Sequence, residues 1–252
     1  MKFGLKPKVI HGTPITPNAL LEQLRGESFC VSFAAPAQIE RVIPLQDKNG
    51  MLMLDNGAFS IWKSGKGKVD QQAFFAWANQ IQARCEVAVA VIPDVIEGSE
   101  EQNWIEAGAA VHKWSAYPER LMFVWHMNDS VERLRDACLL FNFVAIGSCA
   151  EYDVQTKRAA YLERLRLVNA VADWTEFGYG RRPWIHLMRG LAVLPEVIRF
   201  NSADSSNIAR NHCRTKHEPR HVARFANRIR ASVARAAMVA SVVPVLATSN
   251  FT

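Results

Sequence analysis

Residues 121–147 read LMFVWHMNDSVERLRDACLLFNFVAIG. The apolar run Leu121–His126 passes into a polar turn. Ser130 then stands before VERLRDAC, the pattern of an N-cap followed by a helix over 130–141. A second apolar run, Phe143–Gly147, closes the unit. Both runs are apolar on consecutive residues rather than on alternate ones, which is how a parallel strand covered on both faces reads. The stretch therefore predicts a strand–helix–strand unit of a parallel sheet.

The unit recurs on either side. Strand signals fall at Lys8–His11, Phe29–Ala34, Met51–Asp55 and Val87–Asp94 before it, and at Trp184–Met188 and Val197–Ser202 after it. Helical spacing runs over Pro17–Arg25, Gln71–Arg84 (behind Asp70 as an N-cap), Glu100–Trp114 and Thr156–Trp174. Residues 35–50 have room for a short helix, and Leu191–Glu196 for one turn at most. Eight strands with interleaved helices in 252 residues predict one (β/α)8 barrel of the TIM type, over residues 1–240, with 241–252 a loose tail. An open doubly wound sheet is the alternative, but neither GxGxxG nor GxxxxGK[ST] follows any strand.

Composition narrows the class. Apolar residues make up 49% and charged residues 21%, which excludes a disordered or low-complexity chain. The five cysteines are scattered and odd in number, so a disulfide framework is not expected and a reducing cytoplasm is. There is no run of about 18 apolar residues. The opening MKFGLKPKVIHG lacks the apolar core of a signal peptide, so no membrane association is expected.

Charge is uneven. Nine Lys/Arg against two acids fall between Arg199 and Arg235, leaving the rest of the chain at −1 of the total +6. In helical phase, Arg220, Arg224, Arg228 and Arg235 share an arc of about 80°, opposite Val222, Phe225, Ile229 and Val233. This is a basic amphipathic C-terminal helix. Its stripe suits the phosphates of a polyanion, and on charge alone a solvated surface helix without a ligand explains it equally well.

The active end of a parallel barrel is at the C-termini of its strands. The polar residues falling there include Asp55, Asp94, His126, Gly147, Ser148, Met188 and Asp204. Three acids ending three strands suggest a site, because buried acids are costly unless paired or used. The competing reading is that each caps the element that follows. Neighbouring carboxylates split their pKa values, so one can attack a sugar C1′ while the other holds a proton, and the third can accept from the N–H groups of a guanine-like base. Gly57, Ala58 and Gly147 would let a flat ligand approach the backbone, and Phe59, Trp125 or Met188 could stack on it. His11 and His186 are expected inside the barrel.

The ordered set resembles the tRNA-guanine transglycosylase superfamily, in particular its smaller 7-deazaguanine DNA-modifying branch of phages and bacteria. That family is a (β/α)8 barrel that exchanges guanine for a 7-deazapurine such as preQ0. Its D-S-G-G-F-Q motif is similar to Asp55-Asn56-Gly57-Ala58-Phe59-Ser60, and its P-D to Pro93-Asp94. Its Q-G-G strand end falls at Trp125-His126-Met127. Its G-G-L-A-V-G-E is similar to Ile146-Gly147-Ser148-Cys149-Ala150-Glu151, and its M-G-V-G to Leu187-Met188-Arg189-Gly190. Its nucleophile motif is similar to the stretch from Asp204 to Arg210.

The resemblance implies Asp204 as nucleophile and Asp55 as acid/base. It places Asn56, Gly57, Ala58, Phe59, Asp94, His126, Gly147, Ser148 and Met188 around the base. The family's Cys₃His zinc spacing is absent, and a polar loop accounts for His212, Cys213, His217 and His221, so no metal or cofactor is expected. Without the zinc subdomain, DNA is favoured over tRNA as the polymer. Arg210, Lys216, Arg220, Arg224 and Arg228 would hold the backbone while the base is flipped or presented unpaired. A helper protein for strand opening is a further partner. Three alternatives stay open: base or nucleoside hydrolysis by the same acids, a non-catalytic nucleic-acid-binding barrel, and an unrelated barrel enzyme for a small phosphorylated substrate, against which the lack of a Gly-rich phosphate loop after the seventh strand counts.

Overall fold

The computed structural model describes residues 7–65, 67–147, 149–197 and 199–205. Eight strands pair in sequence order and close on themselves: β1 Lys8–Gly12, β2 Ser28–Ser32, β3 Leu52–Asp55, β4 Ala88–Val91, β5 Leu121–His126, β6 Phe143–Gly147, β7 Trp184–Leu187 and β8 Ser202–Ser205. Every pairing is parallel, and β8 returns to β1 with Ile10 opposite Asp204. The chain is a (β/α)8 barrel of the TIM type, not an open sheet.

Helices α1 Asn18–Glu22, α2 Ile39–Val42, α3 Ala58–Lys63, α4 Gln71–Arg84, α5 Glu100–Ala109, α6 Val131–Leu140 and α7 Arg158–Tyr179 lie between the strands. Their starts are chemically marked. Asp70 accepts from the Ala73 N–H at 3.0 Å and Ser130 from the Arg133 N–H at 3.2 Å. Ser99 and Gln102 form a capping box at α5. The end of α5 widens into a π-helical turn at Ala110–Trp114.

Alternation along the strands separates two apolar layers. Outward residues such as Phe29, Val31, Leu54, Phe123 and Ile146 pack under the helices, against Leu21, Phe74, Leu134 and Leu165. Each such fully buried side chain contributes about 1.5–3 kcal/mol, so most of the apolar stabilisation lies in this layer. Inward residues such as Ile10, Met53, Val91, Val124 and Ala145 form a separate plug inside the barrel. The plug fills the lower barrel and leaves the last inward positions of β3, β5, β6 and β8 at the mouth.

Several boundaries differ from the sequence reading. The eighth strand is Ser202–Ser205 rather than Val197–Ser202. Arg199 adopts a left-handed φ of +66° and pairs with Asp173 at 2.7 Å and with Glu176, which breaks the extended run. Asn201 then fastens the turn, accepting from the Ile185 N–H at 2.7 Å and donating its own N–H to Ile185 O at 2.9 Å. β4 stops at Val91, before Pro93, which has no N–H to donate, so Asp94 sits on a loop. His11 points outward beside Phe29, 6.2 Å between rings, and not into the barrel. α7 begins later than expected because Asp153 ties Gln155 and Thr156 into a turn, and it continues to a left-handed cap at Gly180. Helix α3 has no counterpart in the sequence reading. The basic helix around Arg220–Arg235 and the tail 241–252 lie outside the described residues.

The turn from β3 into α3 depends on one glycine. Gly57 has φ +76°, and a Cβ there would meet Ala34 Cβ at 2.9 Å and Ala34 N at 3.0 Å. Gly57→Ala should lower stability by about 1–3 kcal/mol in urea melts, combining left-handed strain with a backbone clash. An unchanged midpoint would contradict this account of the turn.

Candidate active site

The same alternation that builds the plug aims its last inward residues at the C-terminal mouth. Asp55 follows Met51 and Met53, His126 follows Met122 and Val124, Gly147 follows Phe143 and Ala145, and Asp204 follows Ser202. They line a cavity of about 510 Å³ with Asp94, Phe59 and Met188. A larger cavity of about 960 Å³ opens at the opposite end of the barrel. Its arginines are already engaged: Arg120 donates to Gln82 O at 2.8 Å, and Arg182 pairs with Asp173. The mouth is therefore the candidate site.

Asp55 is enclosed, and burial pushes its carboxyl above the usual range. The charges of Asp204 and Asp94 push the same way, while hydrogen bonds from the Ser32 hydroxyl and the Gly57 N–H pull against them. Asp204 is held differently. Its Oδ1 accepts from the Arg189 N–H at 2.6 Å and lies 3.3 Å from His186 Nε2. His186 is fully buried, and its Nδ1 is 2.9 Å from Ser202 Oγ, which accepts from Trp184 Nε1 at 2.8 Å. The carboxylate oxygen is an acceptor, so we assign the imidazole proton to Nε2, and Nδ1 then accepts from the Ser202 hydroxyl. The Nε2–H faces Asp204 without the alignment of a full hydrogen bond.

Asp94 stands on the loop after β4. The Val95 N–H donates to Asn103 of α5 at 2.6 Å, and Gly98 packs so tightly that a Cβ would be 2.7 Å from that of Val95. Across the mouth, His126 Nε2 lies 3.3 Å from Asp94 Oδ2. Burial works against charge on this imidazole, yet the hydrogen bond and charge of Asp94, with the charge of Asp129, raise its pKa overall. Asp129 also accepts from the His126 N–H at 3.0 Å. Arg164 braces the turn from below through Met127 O at 2.7 Å and Asp129 O. Gly147 makes room for the ring, because a Cβ would lie 2.9 Å from His126 Nδ1.

The expected base-binding residues divide by position. Phe59, Asp94, His126, Gly147 and Met188 line the cavity together with Asp55 and Asp204. Asn56 reaches it too, but its amide is engaged. It donates to Ile92 O at 3.1 Å and accepts from the Ala58 N–H at 2.7 Å, which ties β3 to the β4 loop. Gly57 and Ala58 pack behind the cavity wall. Trp125 faces the helices, with its Nε1 donating to Ser130 O at 3.0 Å and Arg164 over its ring, so it cannot stack on a ligand in the mouth. Ser148, Arg210, Lys216, Arg220, Arg224 and Arg228 lie outside the described residues.

Four contributors escaped the sequence reading: Ser32, Cys30, Asp129 and Glu97. Cys30 and Ser32 had a signal, being the polar inward positions of an otherwise apolar strand. Asp129 had none, since its role comes from the fold of the turn. Burial, with the charges of Asp55 and Asp204, drives the Cys30 thiol well above its usual pKa and so keeps it protonated. Among the described residues no group of His, Cys, Asp and Glu has the arrangement of a metal site, and no helix is long and apolar enough to cross a membrane.

No family model matches the chain, and no curated protein matches it in sequence. Among solved structures it is similar to the tryptophan synthase A-subunit of the hyperthermophile Pyrococcus furiosus. The TM-score is 0.49 and the identity 12%, over 94% of this chain and 99% of that one. The class of fold rests on the strand order itself: a closed parallel barrel, an architecture that hosts many enzymes, with an acidic mouth at its active end.

Two measurements probe the electrostatics. A carboxyl with a raised native pKa binds its proton more tightly folded than unfolded. Stability therefore falls as pH climbs from 3.8, the ordinary value, through the raised one. Asp55→Asn should make the protein more stable than wild type near neutral pH, with the gain vanishing as pH drops into the ordinary carboxylate range. Urea melts that show no gain at neutral pH would refute this. For His126 the slope has the same sign, although here it is the charged form that the fold favours. Its added stability is complete below 6.5 and is lost as pH rises through the raised value. In Asp94→Asn, NMR titration of the His126 ring should show the midpoint falling, since burial then dominates.

Proposed function

We propose that this barrel exchanges a purine base at the C1′ of a nucleic-acid sugar, releasing guanine and installing a 7-deazapurine of the preQ0 type, with DNA as the polymer. The observation that supports the reading best is the pairing of two differently held carboxylates in one cavity. Asp55 is half-buried and pushed toward its protonated form, while Asp204 is oriented by the Arg189 N–H. Acid/base catalysis combined with covalent catalysis needs that division of labour.

In the first half-reaction an Asp204 oxygen attacks C1′. The C1′–N9 bond breaks, and the Asp55 proton goes to the departing guanine. In the second, the incoming base attacks C1′ through N9, its N9 proton passes to the Asp55 carboxylate, and the bond from Asp204 to C1′ breaks. Asp55 is thereby reprotonated, and no oxidant or nucleotide is consumed. In this reading Asp94, across from His126, accepts from the base's N–H groups, and Met188 and Gly147, which line the same cavity, meet its face and edge. The order of motifs from Asp55 to Asp204, similar to that of the guanine transglycosylases, points to exchange rather than hydrolysis. In this reading the basic segment carrying Arg210, Lys216, Arg220, Arg224 and Arg228 meets the phosphates.

The test is release of labelled guanine from single-stranded DNA, duplex DNA and tRNA, with and without preQ0. The expected result is preQ0-dependent release from DNA, at least about 10³-fold slower in Asp204→Asn and about 10²–10⁴-fold slower in Asp55→Asn. Release from tRNA alone would change the polymer. Release that persists in Asp204→Asn, or none from any polymer, would overturn the proposal.

A further inference from the structure

The rim of the mouth carries aromatic and cationic groups that the carboxylate chemistry does not use. On α3, Phe59 is 42% exposed and Trp62 is 43% exposed, with ring centres 5.9 Å apart and planes 36° from one another. The other large aromatics of this part of the chain behave differently: Phe74 and Phe75 of α4 are buried, and Phe33 and Trp77 pack against them. From β7's side of the mouth, the Arg189 guanidinium reaches over Phe59, 4.6 Å from the ring centre. Lys63 follows Trp62 directly, and Lys68 lies in the next turn, both exposed. None of these three cations is in an ion pair among the described residues.

Below this rim the charge reverses. Asp55, Asp94, Glu97, Asp129 and Asp204 all line the cavity, and Arg189 is the one Lys or Arg among its described lining residues. A phosphate inside would face five carboxylates. A polyanion can present a base to this cavity only if its phosphates stay outside, at the cations of the rim. The ring of Trp62 is partly open to solvent and lies beside Phe59, which lines the opening.

We propose that Trp62, Arg189 and Lys63 form a docking platform for a single-stranded nucleic-acid segment. Trp62 stacks the base adjacent to the one in the cavity, while Arg189 and Lys63 take the flanking phosphates. The argument rests on the proposed reading of the mouth as a nucleotide site. An open aromatic face flanked by cations outside any ion pair suits one base and its neighbouring phosphates along an unpaired strand. A duplex would not offer a free base face to Trp62, so the platform selects an unpaired or flipped-out segment. The guanidinium on Phe59 ties the platform to the cavity, because the same residue's N–H holds Asp204.

Fluorescence anisotropy with an end-labelled single strand tests this, using DNA and RNA of one sequence and a DNA strand whose central positions are abasic. Trp62→Ala should lose about tenfold in affinity for the base-bearing strand and almost nothing for the abasic one. Arg189→Asn, chosen because Asn tolerates the left-handed φ of +53° at this position, should weaken both strands and flatten the salt slope by about one. Phe177→Ala is the control, a 94% exposed aromatic at the far end of α7 that should change nothing. Circular dichroism of each variant excludes loss of fold. Binding of either polymer in this pattern supports the platform, and the tighter one names it. Equal affinity of wild type and Trp62→Ala, or wild type binding the abasic strand as tightly as the base-bearing one, overturns it. The two proposals fail separately: Trp62-dependent binding without base release removes the reaction and leaves the platform, and base release with Trp62-independent binding does the reverse.

Discussion

Closure of eight parallel strands forces every second residue into a space with room for one more side chain only at its open end. This constraint organises the molecule. Positions low in the barrel must be apolar or fully satisfied, because water cannot reach them. Ile10, Met53, Val91 and Val124 meet the first condition, and Ser202 the second through Trp184 and His186. Only the last inward residue of each strand can be polar and reach a ligand. Asp55, His126, Gly147 and Asp204 occupy those positions, brought together from strands up to 149 residues apart in sequence without a loop having to fold over them.

Gathering acids in this way opposes folding. Asp55 feels both Asp204 and Asp94, and its desolvation is the largest cause of its raised pKa. The surrounding structure offsets this with donors fixed to backbone or strand: the Ser32 hydroxyl and the Gly57 N–H for Asp55, the Arg189 N–H for Asp204, and the His126 ring for Asp94. Two of these N–H groups belong to residues of positive φ, Gly57 at +76° and Arg189 at +53°. Backbone strain at the mouth is thus coupled to holding charge there, a pattern common where structure is spent on function.

What could be read in the sequence follows from the same constraint. Strands β5 and β6 are legible because both their faces are buried, so that apolar runs mark them end to end. β8 is not, because its inward residues are Ser202 and Asp204 and its outward Ala203 is small, so the apolar signal belongs to the preceding turn around Val197 and Phe200. The acids at the strand ends were visible as residue types, but their partners were not. Asn56 looks like a ligand contact in sequence and is a brace between β3 and the β4 loop. Trp125 sits beside His126 in the chain, yet the period of two turns it toward α6. Ser32 is one of many serines until β2 and β3 set it opposite Asp55.

The floor of the site shows how far this reaches. Trp184 and His186 point inward on β7, and Ser202 and Asp204 on β8, and the register places His186 beside Ser202. Indole, hydroxyl, imidazole and carboxylate therefore form one ascending line. The imidazole tautomer is set at both ends of its ring, by a hydroxyl that can donate below and a carboxylate that must accept above. A carboxylate fixed by a backbone N–H, with a buried imidazole N–H facing it, has few orientations, and a side chain with few orientations loses little entropy on meeting a ligand. The apolar plug beneath encloses that line away from water. The barrel interior therefore determines both where Asp204 stands and which way its oxygens face.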